Sequence, residues 1–184
     1  MAHRGLTGVL LVGGASRRFG SPKALARLGD ETLAERGWRV LGEVCDERIA
    51  VGKAGELELP FPVLDDGSVV RAPIAGVVAG LRAAANEVTV VLPVDCFRIT
   101  PELLRSLGAA CRDAAVTQEG PLPGAWAKSA LAHLDGALAA GDYSLKATYE
   151  LLDVAMLDVD PELLADADTP GDLERWIELD SPPP

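Results

Sequence analysis

The sequence predicts an α/β fold, a mostly parallel sheet with helices on both of its faces. Three observations lead there. Short apolar runs alternate with helical stretches along the chain. The runs are apolar throughout rather than alternating with polar residues, as strands covered on both faces are. No internal repeat or low-complexity linker interrupts the order. The 184 residues are 48% hydrophobic and 24% charged, an ordinary globular composition. Aromatic residues make up only 4%, so the core falls to Ala, Val and Leu.

In chain order, Leu6–Val12 is a short strand ended by Gly13 and Gly14. A helix is expected over Thr32–Leu41. Strands follow at Arg48–Val51 and Pro62–Leu64, the latter running into Asp65-Asp66-Gly67. Ile74–Ala85 has helical composition, with Asn86 as its stop. Val88–Leu92 is the clearest strand, since three of its five residues are Val and none is charged. Pro101–Cys111 reads as a helix with Thr100 as N-cap and Pro101 at the first helical position. A strand at Ala114–Thr117, helices at Ser129–Ala140 and Ser144–Leu152, and a strand at Val154–Leu157 complete the alternation. Thr169-Pro-Gly-Asp172 has the form of a capped helix start, with Leu173 and Trp176 facing the core. Ser181–Pro184 is a Pro-rich tail, and residues 1–180 are expected to form one domain.

Composition narrows the function. The formal net charge of -11 argues against a nucleic-acid binder, which relies on Lys and Arg to neutralise phosphates. The charge is uneven: residues 1–53 hold nine Lys/Arg against six Asp/Glu, residues 142–184 two against twelve. The amino-terminal part is the one suited to an anion. Cys45, Cys96 and Cys111 are odd in number and lack C-x-x-C spacing, so neither a disulfide framework nor a zinc site is expected. With only His3 and His133, a Ser-His-Asp or Cys-His enzyme is disfavoured. There is no signal-peptide pattern and no apolar run near the roughly 20 residues that cross a bilayer. A cytoplasmic protein without membrane partners is expected.

In a sheet of this kind ligands bind beyond the carboxyl ends of the strands, which singles out three places. The first is the loop through Gly13, Gly14, Arg17, Arg18, Gly20 and Lys23. Its glycines let backbone N–H groups approach an anion, and its three cations suit a triphosphate. Neither the dinucleotide fingerprint nor the P-loop fits its spacing. The second is Pro93-Val-Asp95, where a carboxylate can hold Mg²⁺, which takes one or two carboxylates and completes its shell with water and phosphate oxygens. Cys96 beside it has no nearby base and reads as packing. The third is Asp65-Asp66, which could accept hydrogen bonds from a base or sugar, or form only a turn.

These residues carry a family resemblance. Leu10–Lys23 resembles the L-x-G-G-x-S-R-R-M-G-x-x-K signature of molybdenum cofactor guanylyltransferases, the MobA-type nucleotidyltransferases. Ala72-Pro-Ile-Ala-Gly76 is similar to their G-P-L-A-G segment, Pro93-Val-Asp95 to P-C-D, Pro121–Trp126 to a P-L-P-A/G-x-W/Y turn, and Asp166–Leu173 to N-x-N-T-P-E-D-L. The departures are Phe19 for Met, Ala72 for Gly, Phe97 for Pro, Gly52 followed by Lys53 where Asn is usual, and Asp166 and Asp168 for two Asn.

The resemblance implies a Rossmann-like, three-layer nucleotidyltransferase fold. It implies transfer of GMP from Mg-GTP to molybdopterin with release of pyrophosphate. Leu11, Val12, Gly13 and Gly14 would line the nucleotide site. Arg18 and Lys23 would neutralise the triphosphate, and Asp65 or, preferably, Asp66 would contact the nucleoside. Asp95 would bind Mg²⁺, joined by Asp168. Arg71, Arg98 and Lys128 are candidate cations for the acceptor, and transient contact with other cofactor-biosynthesis proteins is implied. The rival readings are a cytidylyltransferase using CTP, another small-phosphate nucleotidyltransferase, and a non-catalytic nucleotide-binding accessory protein.

Overall fold

The computed structural model describes residues 5–13, 22–53, 55–166, 171 and 173. The expectations for Gly14, Arg17, Arg18, Gly20, Asp168, Thr169, Asp172, Trp176 and the 181–184 tail fall outside them. Strand β1 (Leu6–Leu11) starts the chain, followed by a hairpin of two-residue strands, β2 (Arg27–Leu28) and β3 (Glu31–Thr32). Then come α1 (Leu33–Gly42), β4 (Glu47–Gly52), β5 (Val63–Asp65), α2 (Pro73–Ala83) and β6 (Val88–Pro93). The rest is α3 (Pro101–Ala110), β7 (Ala114–Thr117), β8 (Gly124–Ala127), α4 (Leu131–Ala140) and β9 (Val154–Leu157).

Seven strands form one sheet in the order β5-β4-β1-β6-β8-β7-β9. All neighbours are parallel except those of β8, which runs antiparallel to both β6 and β7. The predicted mostly parallel α/β sheet is what forms. Its core is aliphatic, as the composition required. On one face Leu10, Val90 and Leu92 pack with Leu33, Leu41, Leu104 and Leu107 from α1 and α3. On the other, Val9, Leu11 and Val91 pack with Val77, Val78, Leu81 and Leu134 from α2 and α4. The layers approach closely because glycine faces the sheet: a Cβ on Gly37 of α1 would lie 2.7 Å from Leu10 Cδ1.

Local signals explain most boundaries. Thr32 and Glu35 form a reciprocal capping box at the start of α1. Thr100 Oγ1 accepts from Leu103 N and Pro101 opens α3. Gly141, at φ 80°, ends α4.

Two local expectations are corrected, and one element is new. Ser144–Leu152 contains a 3₁₀ run, Leu145–Leu151, not an α-helix; the lone stretch packs Leu145 and Thr148 inward without a regular apolar stripe. The turn read at Pro121–Trp126 leads into strand β8 at Gly124. The β2–β3 hairpin was not expected, since pairs of two residues carry no periodicity. No helix of the described residues is long and apolar enough to cross a membrane.

Candidate active site

The chain leaves β1 toward β4 and β5 on one side and returns to β6 on the other, so β1 marks the reversal of strand order. A crevice outside the carboxyl ends is expected there. Backbone hydrogen bonds carry the ladder past the strand ends and fix the crevice walls. Val12 N donates to Val51 O (2.9 Å), Val94 N to Leu11 O (3.0 Å) and Asp66 N to Gly52 O (3.0 Å). The result is a cleft of about 260 Å³. Its walls are Leu11–Gly13, Val51–Lys53, Asp66, Arg71, Ala72, Pro73 and Gly76 at the entry to α2, Pro93–Asp95, Lys23 and Leu122.

At Gly76, where α2 borders the cleft, a Cβ would lie 2.7 Å from Leu11 Cδ2, so glycine there lets the helix approach β1.

Asp95 sits in a turn held by Cys96 N donating to Pro93 O and Phe97 N donating to Asp95 O. Arg36 of α1 ties down the same turn through Phe97 O (2.7 Å). The Asp95 carboxylate receives a hydrogen bond from Lys23 Nζ at 3.1 Å. Both side chains are part-buried, at 19% and 27% exposure. Two residues 72 positions apart, singled out separately in the sequence, thus meet across the cleft. The single Asp95 carboxylate fits Mg²⁺ as one ligand, since this hard cation needs few protein ligands when a substrate supplies phosphate oxygens.

Cys96 is buried, and that burial, helped by the charges of Asp95 and Asp166, pushes its thiol up. It stays protonated near neutrality and packs, as expected.

The two adjacent acids separate. Asp66 lines the cleft, while Asp65 is exposed and its Oδ1 accepts from Gly67 N at 2.8 Å in a local turn. Asp66 Oδ1 lies 2.5 Å from Lys53 Nζ and accepts from Ser68 N at 2.9 Å. Lys53 had been noted only as a departure from the family pattern. Its signal was its place at the carboxyl end of β4, by the rule that marked Asp66 and Asp95. Arg71 lies on the rim and grips both carboxylate oxygens of Glu56. That guanidinium holds the Glu56 carboxyl below its ordinary value.

Not every expected cation belongs here. Lys128 follows β8 where Ala127 pairs with Val88, and its N–H donates to Glu87 O. That is the amino-terminal end of β6, the end of the strands opposite the cleft, because β8 runs antiparallel. Lys128 is therefore excluded from the acceptor side. Arg98 lies in the turn after Asp95 and does not line the cleft.

The geometry agrees with the comparisons. A family model described as the MobA-like NTP transferase domain matches residues 8–156. A protein of Opitutus terrae named probable molybdenum cofactor guanylyltransferase is 35% identical over 153 residues, covering 77% of this chain and 76% of the relative. One of the same name from Chloroflexus aggregans is 30% identical over 196 residues, covering 94% and 93%. The solved structure of molybdopterin-guanine dinucleotide biosynthesis protein A from Archaeoglobus fulgidus is 26% identical with a TM-score of 0.79, covering 94% of this chain and 97% of that one. The family match runs from β1 into β9 and contains every described residue of the cleft, so this chain belongs to the MobA-like NTP transferases.

Proposed function

We propose that this nucleotidyltransferase moves GMP from GTP to molybdopterin, releasing pyrophosphate and forming the guanine dinucleotide cofactor. The observation that carries the reading is the meeting of Lys23 and Asp95 in the cleft beside β1. A terminal phosphate oxygen of the acceptor attacks the α-phosphorus of GTP in line with the departing pyrophosphate. The attacker is already an anion, so no strong base is needed.

The main task is to position two polyanions. Two unit charges about 4 Å apart repel by roughly 4 kcal/mol at an effective dielectric near 20. In this reading the Gly13–Gly14 backbone, Arg18 and Lys23 hold the triphosphate and offset that repulsion. Asp95, with Asp168, holds Mg²⁺, which when bound neutralises phosphate charge. Leu11 and Val12 flank the nucleotide, and Asp66 faces the nucleoside. Arg71 is the acceptor-side cation that remains on the cleft rim, and releasing Glu56 would free it for a phosphate. The reaction belongs in the cytoplasm, with product passed on through transient contacts with other proteins of cofactor biosynthesis.

Lys23→Ala should weaken GTP at least about tenfold more than GMP, since a cation on the outer phosphates acts only where they are present. Isothermal titration with both nucleotides reads this directly, and equal losses would contradict it. Thermal melting with Mg²⁺ and each NTP in turn tests the base. A nucleotide at 100 times its dissociation constant adds roughly 2.7 kcal/mol. GTP should give the largest upward shift; a larger shift with CTP would overturn the guanylyl assignment.

A further inference from the structure

We infer that Lys53 and Asp66 form a donor–acceptor pair that selects the lactam edge of a base, in guanine the C6 carbonyl with the neighbouring N1–H, and that the 2-amino group of guanine adds little. The inference rests on the GTP reading above and goes on to say how the base is told from its competitors.

Both side chains line the cleft and both are largely buried, at 15% exposure for Lys53 and 11% for Asp66. Removed from water, their remaining hydrogen-bonding capacity has to be met by whatever enters. That capacity can be counted. The Lys53 ammonium carries three hydrogens; one goes to Asp66 Oδ1 and one to the Ser68 carbonyl. One donor remains. Asp66 Oδ1 takes both the Lys53 ammonium and the Ser68 N–H, which uses its two lone pairs. Among the described residues no hydrogen bond reaches Oδ2, so that oxygen remains as an acceptor. The turn of Ser68 and the ladder bond from Asp66 N to Gly52 O hold the pair in this arrangement without any ligand.

The pair therefore presents one donor next to one acceptor. A lactam offers the matching order, a carbonyl oxygen next to an N–H. The edge of adenine or cytosine reverses it. The exocyclic amino group would face the ammonium, and a bare ring nitrogen would face the carboxylate. Each contact then leaves a largely buried N–H or carboxylate oxygen of the pair unmatched, the kind of mismatch that separates substrates most strongly. Because Oδ1 is already saturated, a grip on N1–H and the 2-amino group by both carboxylate oxygens is not available. Recognition falls on O6 and N1–H.

Titration calorimetry of the intact protein with Mg²⁺ tests this by changing single atoms of the nucleotide. GTP, inosine triphosphate, 2-aminopurine riboside triphosphate, ATP and CTP are the probes. Inosine triphosphate keeps the lactam and lacks the 2-amino group; it should bind within about fivefold of GTP. The 2-aminopurine nucleotide keeps the 2-amino group and loses the lactam; it should bind at least about 30-fold more weakly, as should ATP, the range expected when hydrogen bonds to charged groups are lost. Binding of 2-aminopurine triphosphate as tight as that of inosine triphosphate would overturn the inference while leaving a GTP preference in place. Preference for CTP over GTP would overturn both the inference and the guanylyl reading. Lys53→Met, checked for folding by its ligand-free melt, should weaken GTP by about 10- to 100-fold and shrink the GTP to 2-aminopurine ratio at least about tenfold. An unchanged ratio would reduce Lys53 to a structural support for Asp66 and overturn its part in selection.

Discussion

Asp95→Ala should abolish turnover and leave the fold intact. The carboxylate lies at the carboxyl end of β6 in a turn fixed by backbone bonds, so the side chain does not hold the turn together. It projects toward the cleft and bonds Lys23, and its removal disturbs two functions together. In the proposed mechanism the site loses an oxygen ligand for Mg²⁺, and Lys23 loses the carboxylate it bonds at 3.1 Å. Removing one electrostatic stabiliser of a transition state typically costs about 100- to 1000-fold in rate, and this change removes more than one. Pyrophosphate release should fall below detection while the melting temperature in the absence of nucleotide stays within a few degrees. Release within a few-fold of wild type would refute the role given to Asp95.

Trp126→Ala should produce the largest loss of stability of any single truncation outside the cleft. Trp126 is wholly buried in β8, directly opposite Thr89 of β6 and Ala114 of β7. Its ring packs against Tyr149, with centroids 6.5 Å apart, and against the Val91, Val116 and Leu134 face of the core. In a core otherwise built from small aliphatic side chains, no neighbour is large enough to fill the gap. Burial-to-Ala changes of this size cost about 3–5 kcal/mol, against a total of roughly 5–15 kcal/mol. At about 2–4 °C per kcal/mol for a chain of this length, the melting temperature should drop by about 10 °C. A drop under about 3 °C would show that β8 is not anchored as described.

The parts of the fold visible in the sequence are those with their own local chemistry. The apolar runs of β1 and β6, the Thr100-Pro101 cap and the Thr32 start of α1 each carry a signal within a few residues. The strand-end rule points from sequence alone to Gly13, the Asp65-Asp66 pair and Asp95, and Lys23 belongs to the Gly- and Arg-bearing loop after β1. What stayed hidden depends on distant partners. Gly124–Ala127 has little intrinsic strand preference and is a strand because β6 and β7 pair with it on both sides. Its antiparallel direction sends Lys128 to the strand ends opposite the cleft, which no local feature of residues 121–130 could reveal. The Lys53–Asp66 bond was hidden for the same reason: it spans 13 residues and exists because β4 and β5 end together.

Turnover decides the assignment. Purified protein with Mg²⁺, GTP and molybdopterin should release one pyrophosphate for each guanine dinucleotide formed, with CTP a far poorer donor. Efficient release from CTP but not GTP would assign a different base. Nucleotide binding with no pyrophosphate released in the presence of molybdopterin would contradict the enzymatic reading itself.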